Sequence, residues 1–379
     1  MTVKQDKQRG TWFYVVDVPA PGGRRRQVKR RGFGTKKEAT VAEAEVLADV
    51  RRGRYVRPSR STVGQYLVET WLPARRADLR PSTIHGYEKV VTGRIVPMLG
   101  DVPLSALDVA TVEAFYGRLL TSGGKNGRAL SAKTVANAAG VLSAALADAV
   151  RLRLLPHNVT SDARLPRRSQ REMSAWSAAD AERFLASVRE SRLWPLWRLA
   201  LASGLRRGEL AGLRWRDVDV AAGSLQVAHT RVTAGKVVEG EPKTKAGFRV
   251  VALDDETVGT LKAWKRAQTE ERLLLGAGWR DTGYVFTNEL GEPPYPGQFT
   301  KWWNTAVKAA GVPRIRLHDA RHTSATLLLR AGVPVKVVSQ RIGHADVAVT
   351  MRIYQHVTAQ DDRAAADALG QALGNVTTT

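Results

Sequence analysis

The sequence predicts a multidomain protein, mainly α with small β-sheets: a small sheet plus helix at the front, a helical block behind it, and an α+β domain at the C-terminal end. Three observations carry this reading. The 379 residues are long for one core and suit two or three domains. An apolar content of 43% is ordinary for folded protein. The hydrophobic period changes along the chain, from strand-like alternation to helical spacing, then to helices interrupted by one β region.

Charge narrows the function classes. Fifty-nine Lys and Arg against 36 Asp and Glu leave +23, with a pI near 10.7, which favours a polyanionic partner. No apolar run approaches the ~18 residues of a spanning helix, and the start Met1-Thr2-Val3-Lys4-Gln5-Asp6 leads into no signal-like apolar core. The expectation is a cytoplasmic nucleic-acid binder with no membrane partner. The absence of cysteine excludes disulfides, thiolate zinc sites and a cysteine nucleophile.

Residues 1–60 concentrate the charge, with 16 basic against 6 acidic side chains. Residues 12–18 alternate as a strand, Pro21-Gly22-Gly23 is a turn, and residues 24–33 read as a second, strongly basic strand. Thr35-Lys36-Lys37-Glu38 matches a capping box that opens a helix through about Val50. Arg24, Arg25, Arg26, Lys29, Arg30 and Arg31 admit a bland reading as a solvated or targeting-like tract. The flanking strand and turn favour DNA, because a basic sheet of this size fits a major groove while its arginines grip phosphates.

From Thr62 to about Leu155 the spacing predicts four main helices, with starts at Thr62, Ser82, Asp108 and Ser131, each able to cap orphan amides. Pro81, Pro97, the glycine-rich loop 122–127 and Pro156 separate them. Val135, Ala138, Ala139, Leu142, Leu146 and Ala149 form an apolar stripe suited to core packing. The basic stretch 156–172, with Arg164, Arg167, Arg168 and Arg171, reads as an interdomain linker. Ser177 is an expected N-cap. Short strands are expected at residues 224–228, 236–239 and 248–253, with Lys243-Thr244-Lys245-Ala246-Gly247 at a turn and helices resuming near Glu256.

The chemistry-bearing residues come late and in order. Arg206 lies in Ser203-Gly204-Leu205-Arg206, entering a helix, with Glu209 three residues on and able to fix its guanidinium. His318 and Arg321 are three apart near the start of a helix and project from one face. His344 follows Gly343, either as a donor or as a satisfied turn histidine, and Tyr354 comes last. One hydroxyl nucleophile, two guanidinium groups and two imidazoles suit attack on a phosphodiester, where negative charge builds on the non-bridging oxygens. Such a set calls for no cofactor and no metal. Singly, each residue reads as a surface ion pair or a half-buried aromatic; the combination is the signal.

Ala202-Ser203-Gly204-Leu205-Arg206-Arg207-Gly208-Glu209-Leu210, followed by Leu213, Trp215 and Asp217, resembles the first signature box of the tyrosine recombinase or phage integrase family. Leu317-His318-Asp319-Ala320-Arg321-His322-Thr323, Ile342-Gly343-His344 and Tyr354-Gln355-His356-Val357 resemble the second. The match covers roughly residues 175–360; Ala320 and Ile342 stand where leucine is common. The resemblance implies Arg206 and Arg321 as phosphate clamps, His318 and His344 as donors or proton-transfer groups, Tyr354 as nucleophile and Glu209 as acidic neighbour of the first arginine. It also implies a general-acid lysine on a β-hairpin, for which Pro242-Lys243-Thr244-Lys245 is the candidate segment; Lys243 is chosen, with Lys245 as the alternative.

By the same resemblance, residues 1–60 are similar to an arm-type DNA-binding domain, a three-stranded sheet plus helix. Residues 61–160 are similar to a helical core-binding domain, and 173–379 to the α+β catalytic domain of a tyrosine recombinase. The implied activity is integration or excision of a mobile element, through a 3′-phosphotyrosine and a Holliday junction, by a homotetramer on double-stranded attachment sites. A host DNA-bending protein and an excision factor are candidate accessories. An Xer-type chromosome resolvase, a type IB topoisomerase and an inactive DNA-binding regulator are the rival readings. A helix from Asp361 to about Leu373 is expected to dock on a neighbouring protomer.

Overall fold

The computed structural model describes residues 3–19, 25–52, 61–167, 174–242, 244–344 and 346–354, with 363, 367, 369 and 370; for Lys245, Val349 and residues 352–354 it describes the backbone. The chain divides into two compact units, Met1–Gln170 and Arg171–Thr379.

The first unit opens with an antiparallel sheet of β1 (Val3–Asp6), β2 (Thr11–Pro19) and β3 (Arg25–Phe33), in that order, followed by α1 (Lys36–Arg51). The short first strand is the element that alternation alone did not disclose. Tyr14, Val16 and Val18 are buried against Ala42, Val46 and Leu47 of α1. The helix start departs from a capping box in one bond: Thr35 Oγ1 accepts from the Glu38 amide at 3.2 Å, while Glu38 Oε2 accepts from Gly34 rather than Thr35. Register divides the basic tract. Arg25, Lys29 and Arg31 pair with Pro19, Val15 and Phe13, on the sheet face away from α1, whereas Arg26 and Arg30 pair with Val18 and Tyr14 on the helix side. Arg24 lies outside the described residues.

Four helical rods follow. The first comprises α2 (Val63–Gln65), a π-helical stretch Tyr66–Trp71 and α3 (Leu72–Asp78); the second comprises α4 (Pro81–Val90), a π stretch Val91–Ile95 and α5 (Val96–Leu99). Both π stretches run up to a proline. Leu72 bonds to the carbonyl of Leu67 and Val96 to that of Val91, five residues back, just before Pro73 and Pro97. A proline ring collides with the carbonyl four residues earlier and has no N–H, so one widened turn carries the helix past it without a break. The third and fourth rods are α6 (Val109–Ser122) and α7 (Ala132–Arg151).

Thr62, Asp108 and Ser131 cap as expected. The second rod starts instead with Pro81 at its first helical position and Arg80 as N-cap, since proline there has no amide to orphan. The whole predicted stripe of α7 is buried. Asp148, inside this core, accepts from Trp71 Nε1 at 2.7 Å and pairs with Arg75. The expected linker begins later than its composition suggests: Leu155 and Val159 are buried and Asn158 Nδ2 donates to the Ser143 carbonyl at 3.0 Å, so the chain stays on the helical block. Arg168 and Arg171 lie outside the described residues.

The second unit contains α8 (Ala178–Ser187, capped by Ser177), α9 (Trp194–Ser203), α10 (Arg207–Gly212), β4 (Val218–Asp219), β5 (Ser224–Val227), β6 (Thr230–Ala234), β7 (Lys236–Gly240), β8 (Arg249–Ala252), α11 (Asp255–Leu275), α12 (Pro296–Ala309), α13 (Leu317–Arg330), α14 (Val335–Ile342) and α15 (Val347–Tyr354). Its strands make two sheets, β4-β5-β8 and the hairpin β6-β7. The hairpin turns at Gly235, whose φ of 77° suits glycine. Trp176, Phe184, Trp197 and Trp303 centre the core with ring centroids 4.9 to 5.5 Å apart. Trp303 Nε1 donates to the Ile315 carbonyl at 2.9 Å and so fixes the approach to α13. The expected C-terminal helix, with Ala364, Ala365, Ala366 and Leu373, falls largely outside the described residues.

Candidate active site

Two left-handed glycines build the site. Gly204, φ 61°, ends α9 and turns its carbonyl toward α13; Gly343, φ 73°, ends α14. Each carbonyl holds one arginine. Arg321 is 2% exposed and donates from Nη1 to the Gly204 carbonyl at 2.9 Å; Arg206 donates from Nη2 to the Gly343 carbonyl at 2.7 Å. Ser324 Oγ, donating to the Leu201 carbonyl, and Arg341 Nη2, donating to that of Ala202, tie α13 and α14 to the end of α9. The two signature segments, more than a hundred residues apart in sequence, are thereby one structure.

Glu209 fixes Arg206 as its spacing predicts. Its carboxylate accepts from the Arg206 amide at 2.9 Å and from Arg206 Nη1 at 2.8 Å. Burial opposes its ionisation, but hydrogen bonds and charge from Arg249 and then Arg206 hold it below the usual carboxylate range. Arg321 differs: burial, and next the charge of Arg206, push it down to about 8. Its Nη2 is buried with no hydrogen-bond partner among the described residues. A buried guanidinium with an orphan donor has the chemistry to hold an anion.

His318 and His344 lie within electrostatic reach of Arg321. His318 is exposed at the surface, yet desolvation by its neighbours, then the charges of His322 and Arg321, push it down to about 4. Burial, then Arg321 and Arg206, push His344 to about 4 as well. Both imidazoles are neutral at pH 7, able to donate through one nitrogen and accept through the other. His344 Nδ1 lies 2.8 Å from the hydroxyl of fully buried Thr350 on α15. Tyr354 closes α15 four residues beyond Thr350. Ala320 and Ile342 are both buried, so the positions that depart from leucine serve the core.

The lysine segment is placed differently from its expectation. β8 pairs with β5, not with β7, so the described residues between β7 and β8 are not the turn of a β7-β8 hairpin. Lys243 lies outside the described residues, and the backbone of Lys245 begins a short 3-10 turn, Lys245–Gly247. Sequence reasoning missed Arg249. Its side chain, 7% exposed, donates from Nη2 to Glu209 at 3.0 Å and from Nε to the Arg341 carbonyl at 2.7 Å. The signal was present: Arg249 and buried Val251 share one face of β8, an inward register where a charge demands a partner. Thr350, a buried threonine in an apolar helix, gave no comparable signal.

Residues 177–361 match the phage integrase family, residues 2–50 an arm DNA-binding domain, and residues 65–120 the N-terminal SAM-like domain of phage integrases. A tyrosine recombinase XerC-like protein of Caldanaerobacter subterraneus subsp. tengcongensis is 30% identical over 92% of this chain and 94% of its own. The chain belongs to the phage integrase family of tyrosine recombinases. The recombinase is also 27% identical to the ICEBs1 integrase of Bacillus subtilis, over 95% of this chain and 97% of that one. Its fold matches the Tn1549 transposon integrase, solved in complex with transposon right-end DNA, with a TM-score of 0.68 at 22% identity, over 82% of this chain and 99% of that one. This integrase is therefore a tyrosine site-specific recombinase, mainly helical with small antiparallel sheets.

Proposed function

We propose that Arg206, Lys243, His318, Arg321, His344 and Tyr354 cleave and rejoin DNA at attachment sites of a mobile element, with Glu209 fixing Arg206. The observation that carries this reading is the orphan Arg321 Nη2 beside Arg206 and two neutral imidazoles, a preorganised cradle for a phosphodiester. The Tyr354 oxygen attacks phosphorus, and the phenolic proton passes to a neutral imidazole. The bond from phosphorus to O5′ breaks as Lys243 donates a proton to O5′, because an alkoxide is a poor leaving group. A 3′-phosphotyrosine and a free 5′ hydroxyl result. A 5′ hydroxyl of the partner duplex then attacks the same phosphorus and expels the tyrosine, conserving the energy of the bond.

Two duplexes, each cut on both strands, require four tyrosines, which fits a homotetramer acting through a Holliday junction. Residues 1–60 serve as the arm-type domain, 61–160 as the core-binding domain and 173–379 as the catalytic domain. Arg25, Lys29 and Arg31 share a sheet face with Phe13, over whose ring Lys29 Nζ lies at 3.9 Å, and this is the face that meets arm-type DNA. A host bending protein and an excision factor are the accessories such an exchange would recruit, in the bacterial cytoplasm. The test is trapping on a nicked duplex spanning the joined ends of the element: a covalent adduct from the wild type, none from Tyr354→Phe, with DNA binding retained. Relaxation of one supercoiled duplex without joining of two would instead favour a topoisomerase.

A further inference from the structure

A neutral imidazole carries its one proton on either ring nitrogen, and the hydrogen bond made by one nitrogen decides which. His344 Nδ1 lies 2.8 Å from Thr350 Oγ1, the one hydrogen bond that either side chain makes among the described residues. Thr350 is 0% exposed, so its hydroxyl is out of reach of solvent. Were Nδ1 the donor, the buried O–H would be left without an acceptor among the described residues; with the hydroxyl donating to Nδ1, no donor is orphaned. The ring proton then sits on Nε2, on the far side of the imidazole from Thr350. The backbone fixes the same residue from its other end: the His344 amide donates to the Ser339 carbonyl at 3.0 Å, directly after the left-handed turn at Gly343.

We propose that Thr350 is a positioning residue that holds the His344 ring in place and in the tautomer protonated on Nε2, making that nitrogen the donor to a non-bridging phosphate oxygen. Threonine suits the place because its hydroxyl supplies a proton to Nδ1 and its branched Cβ restricts the direction in which that proton is offered. Without it the ring can turn, and the share of molecules protonated on Nδ1 would face the phosphate with a lone pair, which repels it. Thr350 does not touch the DNA; its effect passes through the His344 ring alone. The inference deepens the proposed reading of His344 as a donor to the phosphodiester and rests on it.

The experiment reads the tautomer and the rate separately. Ring nitrogen shifts are recorded by NMR on the full-length protein with 15N-labelled histidine at pH 7, where His344 is neutral, and the His344 signals are assigned by their loss in His344→Asn. Wild type and Thr350→Ser should show a bare Nδ1 and a protonated Nε2, while Thr350→Val should move toward averaged values. A protonated Nδ1 in the wild type overturns the proposal even if no variant folds. Cleavage is then followed on the nicked joined-end duplex. Thr350→Val, close in shape but without the hydroxyl, is expected to slow it by about 10-fold, a fraction of the roughly 10²- to 10⁴-fold that a whole acid–base group supplies, and Thr350→Ser should stay within about threefold of wild type. In the His344→Asn background the same Thr350→Val change should cost less than about twofold, because its only route is gone. An equal loss in both backgrounds would mean that Thr350 acts by packing α15 and overturns the proposal, as does a Thr350→Val protein that cleaves like wild type. If wild type forms no adduct, the recombinase reading of the site fails instead, and the ring nitrogens still decide the tautomer.

Discussion

Gly343→Ala puts the architecture of the site to a quantitative test. Gly343 sits at φ 73°, where a Cβ costs about 1–2 kcal/mol. The same Cβ would meet the Ala246 carbonyl at 2.7 Å and Arg249 Nη1 at 2.9 Å, so one of them must move. Forcing such a shift in a packed region costs about 1–3 kcal/mol. The sum, about 2–5 kcal/mol, corresponds to a fall of about 4–20 °C in the unfolding midpoint for a unit of this size. Because the Gly343 carbonyl also holds Arg206 Nη2, strand cleavage should fall by about 100-fold while affinity for DNA changes little. Gly117→Ala is the control: it lies in α6 with nothing within 4 Å of its added Cβ, and should stabilise by about 0.5–1 kcal/mol. Thermal unfolding and adduct formation are read on both variants. A Gly343→Ala protein that melts within about 2 °C of wild type and cleaves at its rate would refute the reasoning.

Three further outcomes follow from the same geometry. Glu209→Gln removes a 3% exposed carboxylate from between two guanidinium groups and should cost about 3–5 kcal/mol in urea unfolding; an unchanged midpoint would contradict the pairing. His318 and His344 titrate near 4 in the folded protein, below the ordinary ~6.5, so the unfolded chain takes up protons first. Their contribution to stability is present above pH ~6.5 and is lost as pH falls toward 4; the His318→Asn/His344→Asn double variant should show a shallower loss over that window. Replacing Arg25, Lys29 and Arg31 by Ala should flatten the salt dependence of arm-DNA binding by about 0.9 for each phosphate no longer neutralised. Replacing Arg26 and Arg30, on the other face, should do less, and equal effects from the two sets would refute the assigned face.

What the sequence disclosed and what it hid have physical reasons. The helix-boundary positions of Arg206, Glu209, His318, Arg321 and His344 were legible because glycine or a capping residue marks those boundaries, while the roles given to them came from the family resemblance. The cap at Ser82 failed because proline competes for the first helical position one residue earlier. The first strand of the N-terminal sheet and β6 hid because four or five residues give alternation little room, and their pairing is settled by distant partners. For Arg249 the inward register signalled a partner without saying which. Its meaning lies in Glu209, 40 residues away, and in Arg341, 92 residues away, and no local period encodes either.

Arg249 also bears on why the histidines need to be neutral. Among the described residues, Arg206, Arg249 and Arg321 stand against Glu209, a surplus of positive charge while both imidazoles are uncharged. A phosphodiester brings one negative charge, and the pentacoordinate phosphorus formed by tyrosine attack carries two. In the proposed mechanism, with Lys243 protonated, the surplus exceeds what the bound substrate can neutralise and is met more nearly as charge builds at the transition state. Interactions that strengthen only as charge develops are the ones that lower the barrier. Charging the histidines would add attraction to the ground-state phosphate as well, tightening the hold on DNA without a like gain in rate. Neutral, they keep N–H donors and free nitrogens available for the proton transfer of the proposed mechanism.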